Sequence, residues 1–158
     1  RQRQLCIRDR HNILKTLIKL NVYGEVLLEK YIPGREIQVA ILENKVLGAI
    51  ELRPTRKFYD YQAKYNPKAR TEHIIPVEIS KRKYQELTKI ALKAHKILNC
   101  RGVTRSDFRY YKNSFYLLET NTQPGMTSLS LVPEIANFNN ITFKNLIKKI
   151  LEDASINK

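Results

Sequence analysis

A chain of 158 residues fits one domain or part of a larger one, and a hydrophobic content of 42% suffices for a sizeable core, which excludes disorder throughout. The 29 basic against 15 acidic residues give +14, a balance that favours polyanionic partners: nucleic acid, an anionic membrane surface or nucleotide phosphates. The two cysteines, Cys6 and Cys100, have no disulfide-framework, CxxC or Cys/His ligand spacing, no apolar run reaches a membrane span, and no stretch has a signal-peptide pattern. A cytoplasmic setting, with Cys100 as a buried free thiol, is the expectation.

Ile13, Leu14, Leu17 and Ile18 recur at helical spacing and predict a short helix within residues 11–20, ended by Asn21 and Gly24. Val26-Leu27-Leu28, residues 37–42 and residues 46–52 are apolar, branched runs separated by Pro33-Gly34 and Glu43-Asn44, and predict three successive antiparallel strands. Residues 53–71 hold two prolines and the run FYDYQAKY, with no sustained period. A long loop of this kind inside a compact domain is more often a lid or binding loop than idle chain.

From Ser80, a plausible N-cap, Tyr84, Leu87, Ile90, Ala91, Ala94, Ile97 and Leu98 trace one helical face. After the hairpin taken up next, Pro124-Gly125 opens a Ser/Thr-rich loop. Phe143, Leu146, Ile147, Ile150 and Leu151 then mark a closing amphipathic helix capped by Thr142. The order of strands, helix, strands, helix argues an α+β fold.

The chemistry concentrates in Arg105-Ser106-Asp107-Phe108, a turn near Lys112 and Asn113, and Leu117-Leu118-Glu119-Thr120-Asn121. Both arms are rich in aromatic and branched residues, which predicts an antiparallel pair. Strand side chains alternate faces, so Arg105, Asp107 and Arg109 share one face, as do Glu119 and Asn121. A three-residue loop, 112–114, sets Asp107 opposite Glu119 and Arg105 opposite Asn121; a two-residue turn breaks that register. Facing carboxylates call for a compensating cation, and Mg2+ takes oxygen ligands of this kind. The alternative is neutralisation by Arg105 and Arg109 as surface ion pairs.

These segments, with EVLLEKYIPGREIQVAIL from Glu25, FYDYQAKY from Phe58, CRGVTRSDF from Cys100 and YLLETNTQPGMTSLSLVPEIA from Tyr116, resemble the C-terminal half of D-alanine-D-alanine ligases, in the ATP-grasp superfamily. The resemblance spans residues 12 to about 154. It implies an ATP-grasp C-terminal subdomain: an antiparallel sheet flanked by helices, with a mobile loop over the site. The implied parent activity is ATP-dependent ligation of two D-alanines through an acyl phosphate, for peptidoglycan precursors.

The resemblance also implies roles for single residues. Glu29, Lys30, Tyr31 and Ile32 would form the hinge strand that binds adenine, Glu36 would hold the ribose hydroxyls, and Phe58 would pack near the base. Lys64 and Tyr65 would reach a phosphate and the first substrate from the lid loop. Asp107, Glu119 and Asn121 would ligate two Mg2+ or Mn2+ ions bridging the ATP phosphates. Arg105 would steady the acyl phosphate and the oxyanion, work suited to a fork of fixed donors. Gly125, Ser130 and Leu131 would face the reacting centre and the carboxylate of the second D-alanine. Read without the resemblance, Glu29 is a strand-surface charge, the four aromatics of FYDYQAKY are core-packing or base-stacking residues, and residues 125–131 are a Ser/Thr-capped loop.

Two positions depart from the family pattern: Leu129 stands where many members have histidine, and Arg109 replaces a usually apolar residue. Arg109 could salt-bridge Glu119 or touch nucleotide. Residues 1–10, RQRQLCIRDR, have no counterpart in that pattern and read as a non-native leader, leaving 11–155 as a partial ATP-grasp domain. The family's N-terminal substrate domain and central phosphate loop do not occur in this stretch, so little activity is expected of it alone, and homodimerisation is an expectation only for the full-length protein. No nucleic-acid or membrane partner is implied. Alternatives are a carboxylate-amine ligase with another acceptor, such as D-lactate or D-serine, and a basic nucleic-acid-binding module.

Overall fold

A computed structural model describes residues 13–22, 24–54, 71–127 and 129–154. The chain forms two compact units, Arg1–Ile32 and Pro33–Lys158. In the first, helix α1 (Ile13–Asn21) matches the predicted short helix, and none of its residues is buried. Val26-Leu27-Leu28 does not form the expected strand. Residues 25–33 hold no regular structure, and Leu27 and Leu28 are exposed. A strand exists through ladder partners, and an apolar run without a paired neighbour stays irregular.

The second unit is a five-stranded sheet in the order β3-β2-β1-β4-β5, with β1 (Arg35–Leu42), β2 (Lys45–Pro54), β3 (Thr71–Ile74), β4 (Val103–Tyr111) and β5 (Ser114–Asn121). Every pairing is antiparallel. β1 lies centrally and is buried from Ile37 onward, which fits its near-continuous apolar sequence. Glu43 and Asn44 link β1 to β2 with φ of 50° and 60°, the doubly left-handed geometry that suits a two-residue hairpin. β3 was not anticipated: TEHI is short and polar, and it pairs at the edge with β2.

Helix α2 (Lys81–Ile97) packs on one face, burying Leu87 and Ala91 against Ile37, Val39, Ile41, Ala49 and Phe108. Ser80 caps it as predicted, its Oγ accepting from the Lys83 N–H at 3.3 Å. The opposite face carries α3 (Leu131–Phe138) and α4 (Phe143–Asp153), which bury Val132, Ile135, Ala136 and Leu146 against Ala40, Leu42, Ile50, Leu52 and Val103. Each fully buried aliphatic side chain contributes roughly 2 kcal/mol. Thr142 caps α4 as expected, its Oγ1 accepting from the Asn145 N–H at 3.3 Å.

α3 escaped the sequence reading because it is short and carries Pro133. In the first turn a proline costs nothing, since the N–H it lacks would have no intrahelical partner. α3 packs on β2. A Cβ on Gly48 would lie 2.7 Å from Ile135 Cγ2, so that glycine permits the close seat. The β4 and β5 side of this face carries the polar residues. Cys100 is free and half-buried rather than buried.

Candidate functional site

The hairpin turn has two residues, not three: Tyr111 pairs with Ser114, and Lys112 and Asn113 have φ of 47° and 64°. Alone that turn would set Asp107 against Leu118. Between Asp107 and Phe108 the ladder shifts by one residue, leaving Leu118 as a β-bulge, and Asp107 faces Glu119 while Arg105 faces Asn121. The expected pairing is met by a different route.

Three rows of side chains therefore cross one sheet face. The first joins Glu36 on β1 to Arg109 on β4 and Tyr116 on β5. The second joins Gln38, Asp107 and Glu119, and the third Ala40, Arg105 and Asn121. β1 thus aligns Glu36 with the metal-type acids, although the sequence separates them widely.

Arg105 clasps Asp107 with both arms of its fork, Nε to Oδ1 at 2.8 Å and Nη2 to Oδ2 at 3.0 Å. Arg109 reaches Glu36 at 3.1 Å rather than Glu119. The ion-pair alternative is therefore half realised: both arginines pair, but neither pair neutralises Glu119, which is exposed opposite Asp107. Asn121 Oδ1 accepts from the Gln123 N–H at 2.9 Å.

Sequence reasoning passed over Gln38. It is 1% exposed, and its Oε1 has no hydrogen-bond partner. Its signal was an amide in an otherwise apolar run, on the face of Asp107. A buried polar atom left without a partner is rare.

Gly125 and Ser130 meet after β5. A Cβ on Gly125 would sit 3.0 Å from Ser130 Oγ. That hydroxyl accepts from the Thr127 N–H at 3.0 Å instead of capping α3. The first-turn amides of α3 are thus left to other acceptors. The Leu131 side chain is in the core, so only its backbone can face a ligand. Leu129 is 88% exposed.

Glu29, Lys30, Tyr31 and Ile32 lie in the irregular stretch of the first unit, with Tyr31 51% exposed. Phe58, Lys64 and Tyr65 lie outside the described residues, as do residues 1–10.

Two carboxylates and a carboxamide form an oxygen-only donor set, which suits a hard cation such as Mg2+ or Mn2+ over zinc. The fit has one condition: Asp107's oxygens are shared with Arg105. Among the described residues no group of three His, Cys, Asp or Glu gathers as a metal cluster. The donor set includes an amide and leaves positions for water or phosphate oxygens, as hexacoordinate Mg2+ usually does.

The five-stranded antiparallel sheet flanked by helices is an α+β C-terminal subdomain of the ATP-grasp class. The family described as D-ala D-ala ligase C-terminus matches residues 9–152. The D-alanine–D-alanine ligase of Pelagibacter ubique is 62% identical over 152 residues, covering 96% of this chain and 50% of that protein. A ligase structure from Bacillus anthracis superposes with a TM-score of 0.80 at 32% identity, covering 93% of this chain and 48% of that one. The same bacterium's ligase complexed with ATP gives 0.77 at 27% identity, with 92% and 46% covered. The chain therefore belongs to the D-alanine–D-alanine ligase family, and it spans about half the length of the curated relatives it matches. Among the described residues no helix is long and apolar enough to cross a membrane.

Proposed function

We propose that this chain is the nucleotide-holding C-terminal part of a cytoplasmic ligase that joins two D-alanines at the expense of ATP. The observation that carries the reading is Asp107 facing Glu119, with Arg105 and Asn121 in the next row. It draws further support from relatives named as D-alanine–D-alanine ligases and from a similar structure bound to ATP. Residues 11–155 are the ATP-grasp portion, and an upstream portion would supply the first-substrate site and the remaining phosphate contacts.

Bound Mg2+ or Mn2+, two ions in the full site, would offset charge on the phosphates during transfer. Asp107, Glu119 and Asn121 hold that charge in place. Glu36 accepts from the ribose hydroxyls, and Glu29 to Ile32 and Phe58 take the adenine. Arg105 offers its fork to the acyl phosphate and to the oxyanion formed when the second amine attacks. For that it must share donors between Asp107 and the substrate, so ligand binding loosens the clasp. Lys64 and Tyr65 would serve the phosphates and the first D-alanine, as the resemblance implies. Ser130, Gly125 and the Leu131 amide receive the carboxylate of the second, where the start of α3 favours an anion.

The test is titration of ATP into the chain with and without Mg2+, beside an Asp107→Asn, Glu119→Gln double variant. Metal-dependent binding that disappears in the variant is expected. Binding that ignores both the metal and the variant would sink the reading and point to the +14 charge acting on any polyanion.

A further inference from the structure

Arg109 is a charged residue of this face to which the proposed reaction gives no task. Its guanidinium forms an ion pair with Glu36 at 3.1 Å and donates to the Gly34 carbonyl at 3.2 Å, and the Arg109 and Glu36 side chains are only 19% and 13% exposed. Two strand residues span roughly 7 Å, so Arg109 stands one row back from Asp107, on the side of the ribose acid rather than of the acyl phosphate. Glu36 and Arg109 are direct cross-strand partners. A guanidinium anchored at a second point by a backbone carbonyl restricts the carboxylate it holds to few rotamers. A carboxylate oxygen has more than one lone pair, so Glu36 held this way can still accept from hydroxyls.

We propose that Arg109 is a positioning residue that fixes Glu36 for reading the ribose hydroxyls, making the pair a selector for ribonucleotides over nucleotides lacking a hydroxyl. The proposal rests on the nucleotide reading above. A pair with a purely structural task gains little from this place: buried ion pairs often contribute no more than apolar residues of similar volume. A pair that presents one carboxylate in a set direction does something an apolar pair cannot.

The experiment follows backbone amide shifts of the 158-residue chain during titration, in Mg2+, with ATP, 3′-deoxy-ATP and inorganic tripolyphosphate. The third ligand engages the acid row without a ribose. The unaltered chain should prefer ATP over 3′-deoxy-ATP. Arg109→Met should reduce that preference about tenfold, the scale of one hydrogen bond to a charged group. Glu36→Gln should do the same, the double variant should lose no more than either single one, and tripolyphosphate should bind all forms alike. Should Arg109→Met lose its amide dispersion, Arg109→Lys keeps the charge, gives up the fork and carries the same comparison.

A preference that survives in Arg109→Met overturns the proposal. So does a parallel loss of tripolyphosphate binding, which would make Arg109 a phosphate attractor or a fold support. If no ligand shifts any amide of the unaltered chain, the nucleotide reading falls and the proposal with it. If all three bind without discrimination, the proposal alone falls.

Discussion

Glu51 and Asp107 are both buried carboxylates on neighbouring parts of one sheet, yet they face opposite sides and are balanced differently. Glu51 is 0% exposed and receives two guanidinium forks, with Arg35 Nε at 2.8 Å and Arg53 Nε at 3.0 Å. Arg53 continues to Glu78 at 2.7 Å, so the network closes on itself. Asp107 receives one fork, from Arg105, and looks across the ladder at a second carboxylate. A buried charge that is fully matched inside the fold serves the fold. One left with a surplus of its own sign serves something that arrives later.

Glu51→Gln breaks the closed network and should have the largest effect on stability. Two arginines lose their charged partner and one of its two acceptor oxygens, and removal of one partner from a buried pair typically costs 3–5 kcal/mol. Arg35 and Arg53 keep 32% and 43% exposure, so the lower end, about 3 kcal/mol, is expected by chemical denaturation. The same group shapes acid behaviour. Burial pushes the Glu51 carboxyl up, but hydrogen bonds from Arg35 and Arg53 and their charges outweigh it, and the net value lies below the ordinary 4.5. The folded state therefore holds its proton less tightly than the unfolded state. This stability is present in full above pH 4.5 and is lost as the pH falls through the lower folded value. Glu51→Gln should remove that part of the acid slope.

His95 is the exception on the α2 side. It is 0% exposed, its Nδ1 meets Thr104 Oγ1 at 2.8 Å, and its Nε2 has no partner. Burial, with a smaller contribution from Lys96, lowers its proton affinity below the ordinary 6.5. Stability it supports is complete above pH 6.5 and declines as the pH falls toward the lower folded value, because the unfolded chain takes the proton first. Thr104→Val leaves both ring nitrogens unpartnered and should cost about 1–2 kcal/mol. A variant as stable as the parent would mean that water satisfies the ring.

The opposite sign is expected at the site. Glu119→Gln removes the like charge facing Asp107 and should stabilise the metal-free chain by a few tenths of a kcal/mol. It should also weaken metal-dependent nucleotide binding. A variant that loses stability instead would mean that Glu119 is balanced within the fold, and the contrast with Glu51 would fail.

Much of this was legible from residue types. The apolar, branched run 37–42 and the aromatic and branched residues on both arms of the 105–121 hairpin announced strands, and Ser80 and Thr142 announced two helix starts. Partner choice was not legible. Nothing local tells Arg109 that Glu36 will sit beside it, because that neighbour comes from a strand far earlier in the chain. The 26–28 run failed for the same reason: apolar branching gives strand propensity, but only a paired neighbour makes a strand. Gln38 was overlooked because one amide in a buried strand looks like noise until the register sets it beside Asp107.

The bulge gives the finest test of how the site is assembled. With a two-residue turn and no bulge, Glu119 would fall opposite Ser106 and point to the α2 side, since a slip of one residue exchanges the faces of a strand. Leu118 absorbs that slip on the edge strand, where an unpaired residue disturbs no second ladder. Deleting Leu118 should therefore straighten β5 while leaving Asp107 opposite Glu119 and Arg105 opposite Asn121. Metal-dependent nucleotide binding should survive the deletion. An insertion after Leu118 should abolish it, because it adds a slip that no turn absorbs. If deletion abolishes binding while the hairpin amides still show the Asp107–Glu119 pairing, the bulge itself aims the acids, and register alone is not enough to build the site.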